Sequence, residues 1–147
     1  MRESKKYLLK TATFVLLASA LLIVSACQPI VYQTTEHIRG RTASIDVPLS
    51  GNAENYDFII TVHFSTTGSP GANKISATLL SPTGSEHKTT TYVTTKKNDA
   101  ALKTITFTNI PAERGTYKVL LKKERSETKL LKATVTVTRS NKDIETE

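Results

Sequence analysis

A single cysteine, Cys27, stands beside three histidines and thirteen carboxylates in a chain of 147 residues. These side chains could perform nucleophilic, acid–base or metal chemistry, and their spacing decides what each can do. A lone thiol cannot close an intramolecular disulfide, and in an oxidising compartment it is an unusual residue to leave free. His37, His63 and His87 lie far apart with no close pair. A zinc site needs three or four converging ligands, so no metal is expected. The carboxylates Glu36, Asp46, Glu54, Asp57, Glu86, Asp99, Glu113, Glu124 and Glu127 fall mostly at turns or on outward strand positions. Glycoside hydrolysis needs two facing carboxylates, and the spacing pairs none. No serine sits in a nucleophile-elbow pattern, and the glycines lie at turns, not in a phosphate-cradling loop before a helix. The expectation is a non-enzyme with no catalytic residue and no cofactor. A pocket gathering His63 or His87 with a carboxylate and a serine would revive an enzymatic reading.

The surroundings of Cys27 give it a different use. Residues 1–26 begin with a basic stretch, Arg2 to Lys6, and continue as an apolar run through Phe14, Val15, Leu16, Leu17, Leu21, Leu22 and Ile23. That run is shorter than the roughly 20 residues a spanning helix prefers, and it has the zones of a cleaved signal peptide. Val24-Ser25-Ala26-Cys27 resembles the lipobox of bacterial lipoproteins: an aliphatic residue, a small residue, Ala or Gly, then Cys. The resemblance implies alkylation of the Cys27 thiol with diacylglycerol and cleavage before it, so Cys27 becomes a membrane anchor. Two or more acyl chains hold a protein stably at a bilayer. Gln28 follows, where an Asp commonly retains such proteins in the inner membrane. The expected location is therefore the outer membrane, facing the periplasm.

Charge excludes one class of partner. The precursor carries +7, of which Arg2, Lys5, Lys6 and Lys10 against Glu3 supply +3, leaving +4 spread along the rest. That is not the concentrated basic face of a nucleic-acid binder.

The elements that must position any site read as strands. Apolar residues recur with period two at Ile45-Val47-Leu49, Phe58-Ile60-Val62-Phe64, Ile75-Ala77-Leu79, Ile105-Phe107, Tyr117-Val119-Leu121 and Ala133-Val135-Val137, with a weaker run over 88–95. Turn residues separate them: Ser50-Gly51-Asn52, Thr67 to Gly71, Ser81 to Gly84, Lys96 to Asp99 and Pro111 to Gly115. Ser126 and Thr128 mark a hairpin loop within the charged stretch 122–131. The pattern predicts an all-β fold: an antiparallel, immunoglobulin-like β-sandwich of about seven strands after a cleaved signal peptide. The expected organisation is a signal peptide at 1–26, a lipid-anchored tether at 27–41, a sandwich at 42–139 and a flexible tail at 140–147.

Gly115 and Tyr117, in Ile110-Pro-Ala-Glu-Arg-Gly-Thr-Tyr, resemble the corner of immunoglobulin-like sandwiches, where Gly permits the turn and Tyr opens the next strand. A narrower resemblance runs through Val31-Tyr32, Tyr56-Asp57, the Pro82-Thr83-Gly84 turn, Pro111, Gly115-Thr116-Tyr117 and Leu130. This order is similar to the GldH family of gliding-motility lipoproteins, which implies an accessory of a gliding or secretion apparatus without enzymatic residues. The leading expectation is thus a non-enzymatic envelope lipoprotein that binds or stabilises a protein partner. The alternative is a glycan-binding module. Its support is the hydroxyl-rich faces Thr104-Thr106-Thr108 and Thr134-Thr136-Thr138, and it requires an exposed Tyr32 or Tyr92.

Overall fold

A computed structural model describes residues 29–66, 71–95, 100–124 and 128–140. The expected signal peptide, with Val24, Ser25 and Ala26 of the lipobox-like stretch, the expected anchor Cys27, and the tail from 141 lie outside the described residues. Eight strands follow one another: β1 (Ile30–His37), β2 (Thr42–Leu49), β3 (Asn55–Thr66), β4 (Gly71–Leu80), β5 (Glu86–Thr95), β6 (Ala100–Pro111), β7 (Gly115–Lys123) and β8 (Thr128–Arg139). Among the described residues no helix is long and apolar enough to cross a membrane.

Branched Thr, Val and Ile residues suit a pleated backbone, and their alternation sends one face of each strand inward. Ile45, Val47, Phe58, Ile60, Val62, Ile75, Leu79, Val119, Leu121, Val135 and Val137 are all buried. Each such side chain contributes about 1.5–3 kcal/mol on burial. The strands form two antiparallel four-stranded sheets, β1-β8-β3-β6 and β2-β7-β4-β5, packed face to face over this core. The antiparallel sandwich is as the alternation predicts.

The wiring is finer than local periodicity reveals. Pairs β1–β8, β2–β7, β3–β6 and β4–β5 are those of one long ribbon folded at the β4–β5 hairpin and wrapped into two sheets. Eight strands in that order make a jelly roll, one way of arranging a double sheet. The corner expected at Gly115 and Tyr117 is present within it.

Two expectations are corrected. Most of the 27–41 segment is strand, not tether. β1 pairs with β8 from Ile30–Thr138 to His37–Lys132, and Val31 and Tyr32 pack on the core. A bulge between Ile30 and Tyr32 blurs its alternation. Nor are β7 and β8 the arms of a hairpin: β7 belongs to one sheet and β8 to the other, Thr128 opens β8, and Ser126 lies outside the described residues.

The strand directions gather the connections at two ends. The near end, where the chain enters β1, holds the turns around 50–54, 81–85 and 112–114. The far end holds the 38–41 turn, the end of β7 and the start of β8.

Candidate functional site

The sequence-derived candidates separate in space. Cys27 and the lipobox-like Val24-Ser25-Ala26 before it lie outside the described residues. His37 and His63 come to one row on the outer face of the β1-β8-β3-β6 sheet, but Lys132 stands between them in register with both. His87 is on β5 in the other sheet. Among the described residues, no three His, Cys, Asp or Glu side chains stand close enough to hold a metal ion.

Several carboxylates have structural work. Asp57 accepts from the Asn109 amide at 2.8 Å and from the Ser140 hydroxyl. Glu113 accepts from the Thr83 amide at 3.0 Å and its hydroxyl at 2.9 Å. Glu86 pairs with Lys88 at 2.9 Å and Glu124 with Lys74 at 2.6 Å.

The two threonine runs share one face. Thr35, Thr134, Thr61 and Thr104 form a row across all four strands of their sheet, with Thr136 and Thr106 in the next row. Thr35 and Thr134 are joined through their hydroxyls at 2.9 Å. These rows carry hydroxyls and no aromatic ring.

The outer face of the opposite sheet adds the ring. Rows there run Thr42–Lys122–Ser76–Thr90 and Ser44–Leu120–Thr78–Lys88. Small side chains flanking Leu120 and Lys122 leave a depression of about 360 Å³, lined by Thr42, Ser44, Ser76, Thr78, Leu120 and Lys122. Tyr92 lies one outward position beyond Thr90 on β5, in register with Lys74, and is 64% exposed. Tyr32, by contrast, is half-buried and packs on the core. The depression and the ring offer an apolar stacking surface beside convergent hydroxyl donors and acceptors, the combination that small-molecule sites use for affinity and orientation.

A second cavity, of about 420 Å³, opens at the far end against Ile38, Arg39, Lys123, Lys129, Leu130 and Leu131. Lys123 takes the inward position after Tyr117, Val119 and Leu121 on β7 and is only 7% exposed. Its ammonium donates to the Thr128 carbonyl. Burial, with Arg41 and Lys129 nearby, pushes its pKa below the usual lysine range. Sequence reasoning missed this residue. The signal was available: the β7 alternation carried one step further lands on a lysine.

No family model matches the sequence, and no curated protein matches it. Solved structures do resemble it. Dimeric latent PorU from Porphyromonas gingivalis aligns at a TM-score of 0.50 with 8% identity, over 78% of this chain and 14% of that one. TmCBM61 in complex with β-1,4-galactotriose aligns at 0.43 with 16% identity, over 67% of this chain and 62% of that one. A structure described as CBM4 structure and function aligns at 0.40 with 12% identity, over 77% and 78%. This chain therefore spans less than two thirds of the first two structures, and at these identities the likeness concerns the fold alone.

Proposed function

We propose that the chain is a glycan-binding β-sandwich module of the cell envelope. The observation that carries this reading is Tyr92, an exposed ring beside a hydroxyl-lined depression on the β2-β7-β4-β5 face. The Tyr92 ring has an apolar face that can stack on a sugar ring and a hydroxyl that can hydrogen-bond at its edge. The hydroxyls of Thr42, Ser44, Ser76 and Thr78 can exchange hydrogen bonds with sugar hydroxyls in either sense. The protein-partner reading has no described surface of comparable character in its favour.

The same proposal includes anchoring of Cys27 at the outer membrane, supported by Val24-Ser25-Ala26-Cys27. β1 begins three residues after Cys27, so the domain would stand directly on the bilayer with Tyr92 toward its far end.

Affinity electrophoresis of the full chain against a panel of neutral and acidic polysaccharides tests the binding reading. Retardation by at least one polysaccharide, abolished by Tyr92→Ala with the fold intact by circular dichroism, is expected. No retardation by any member, or full retention in the variant, overturns it. For the anchor, Cys27→Ser is expected to leave the membrane fraction, and persistence there removes that part of the proposal.

A further inference from the structure

The far-end cavity has a charge arrangement that the fold alone does not explain. Lys123 points where a core residue would, and burying a charge is unfavourable unless it is paired. Its neighbours Arg41 and Lys129 are cations. Glu124, next in the chain, is engaged by Lys74. An ammonium has three donors, and the Thr128 carbonyl takes one of them. Thr128 also buries a hydroxyl with no hydrogen-bond partner among the described residues. Lys123, Arg39 and Lys129 thus line an open cavity in which no described carboxylate pairs with Lys123.

We propose that this cavity binds the oxyanion of an acidic saccharide, either the carboxylate of a uronic acid or a sulfate or phosphate ester. The oxyanion accepts from Lys123 at the inner wall. Arg39 and Lys129, exposed at the mouth, draw it in and add charge-assisted bonds. Ile38, Leu130 and Leu131 offer an apolar wall to the carbon face of the sugar.

Position favours a saccharide over a headgroup of the anchoring membrane. The cavity lies at the opposite end of β1 from Ile30, about 26 Å away for eight extended residues. Tyr92 stands toward the same end: it pairs with Lys74, whose carbonyl accepts from the Glu124 amide beside Lys123. β5 and β7 are two strand spacings apart, about 10 Å. The ring and the cavity thus share one end of the sandwich but face opposite sides of the β2-β7-β4-β5 sheet, so each takes its own saccharide unit. The saccharide half of this inference rests on the reading proposed above; the oxyanion half does not.

Isothermal titration calorimetry of the full chain in detergent tests both halves with inorganic phosphate, an oligogalacturonate and a neutral galacto-oligosaccharide. Phosphate and oligogalacturonate are expected to bind, and Lys123→Met to weaken both by about tenfold or more. Lys129→Gln, a surface change that leaves the core intact, is expected to weaken both several-fold. The neutral sugar should bind both lysine variants as it binds the wild type and be lost with Tyr92→Ala.

Absence of binding to both phosphate and oligogalacturonate overturns the inference, as does a Lys123→Met protein that binds them like the wild type. If the neutral sugar still binds in that case, the glycan reading survives alone. Phosphate binding without any saccharide removes the saccharide half together with the glycan reading. Lys123-dependent binding to phosphatidylglycerol vesicles in place of oligogalacturonate assigns the oxyanion to lipid and overturns the saccharide source.

Discussion

At the near end of the sandwich, side chains close off backbone groups, whereas at the far end charges gather around a cavity. Near the entry of β1, the buried Tyr117 hydroxyl accepts from the Glu113 amide at 2.7 Å and donates to the Pro111 carbonyl at 2.9 Å. Its ring meets Tyr56 edge-on and lies tilted against Phe58. Asp57 holds Asn109, a non-glycine residue at positive φ within the β6 side of the β3–β6 bulge. The exception is Tyr56, whose buried hydroxyl has no partner among the described residues. At the far end the ordering is reversed: a lysine fills a core position beside two further cations. One end is built for stability. The other retains an arrangement that weakens the fold, which is where binding sites are commonly found.

The sharpest way to break this contrast is at the near end. Tyr117→Ala removes a fully buried ring and both hydroxyl bonds, and an expected loss of about 3–5 kcal/mol follows from large-to-small core substitution. Tyr117→Phe keeps the ring and orphans the Glu113 amide and Pro111 carbonyl, for about 1–3 kcal/mol. Urea unfolding reads both. Burial raises the Tyr117 pKa above the usual tyrosine value, against the lowering effect of the Glu113 amide. A folded pKa raised above the unfolded one gives stability that is complete below about pH 10 and lost as pH rises through the folded value. Tyr117→Phe should lack that alkaline decline. A variant that unfolds at the wild-type urea concentration would show the corner to be ornamental.

Gly51 comes next in size. It sits at φ +76°, and an added Cβ would lie 2.8 Å from the Arg114 amide nitrogen. Gly51→Ala therefore pays both for the left-handed backbone and for displacing the 112–114 turn, about 1–3 kcal/mol. Thermal unfolding measures it. An unchanged midpoint would mean that the near-end turns move independently. Gly115, with φ +140° and Pro82 Cβ 2.8 Å from an added Cβ, is held by the same crowding.

How much of this was legible in the sequence follows from what each feature depends on. The alternation in β2, β3, β4, β6, β7 and β8 is local, so those strands and their buried faces could be read directly, whereas the threonine-rich β5 showed only a weak run. Gly115 and Tyr117 were readable because a corner needs both within three positions. β1 was hidden because it is an edge strand, half-buried on one side and bulged. The sheet to which each strand belongs depends on partners far away in sequence, as β7 and β8 in their different sheets show. Tyr92 could be singled out as a candidate ring, but its exposure depended on which face of β5 met the core. The far-end cavity was least legible, since Arg39, Lys123 and Lys129 come from three different elements and a lysine ending a strand ordinarily reads as solvent-facing.

The smallest expected effect is the most informative about the far end. Lys123→Met keeps an apolar stem in the core and removes the charge, so stability should hold or rise by about 1 kcal/mol, unlike any near-end change. The pH dependence gives a second reading with the opposite sign to Tyr117. Desolvation, then Arg41 and Lys129, lowers the folded pKa of Lys123 below its unfolded value. Between the two values the unfolded chain binds more protons, so stability rises with pH in that window. Lys74, raised by its bond to Glu124, works the other way, but it is present in both proteins and cancels in the difference. The stability of Lys123→Met minus that of wild type should therefore shrink as pH climbs toward about 10.4, the unfolded lysine value. A difference that stays flat, or a variant less stable than wild type at neutral pH, would mean that Lys123 is compensated within the fold. The two ends would then not differ in kind.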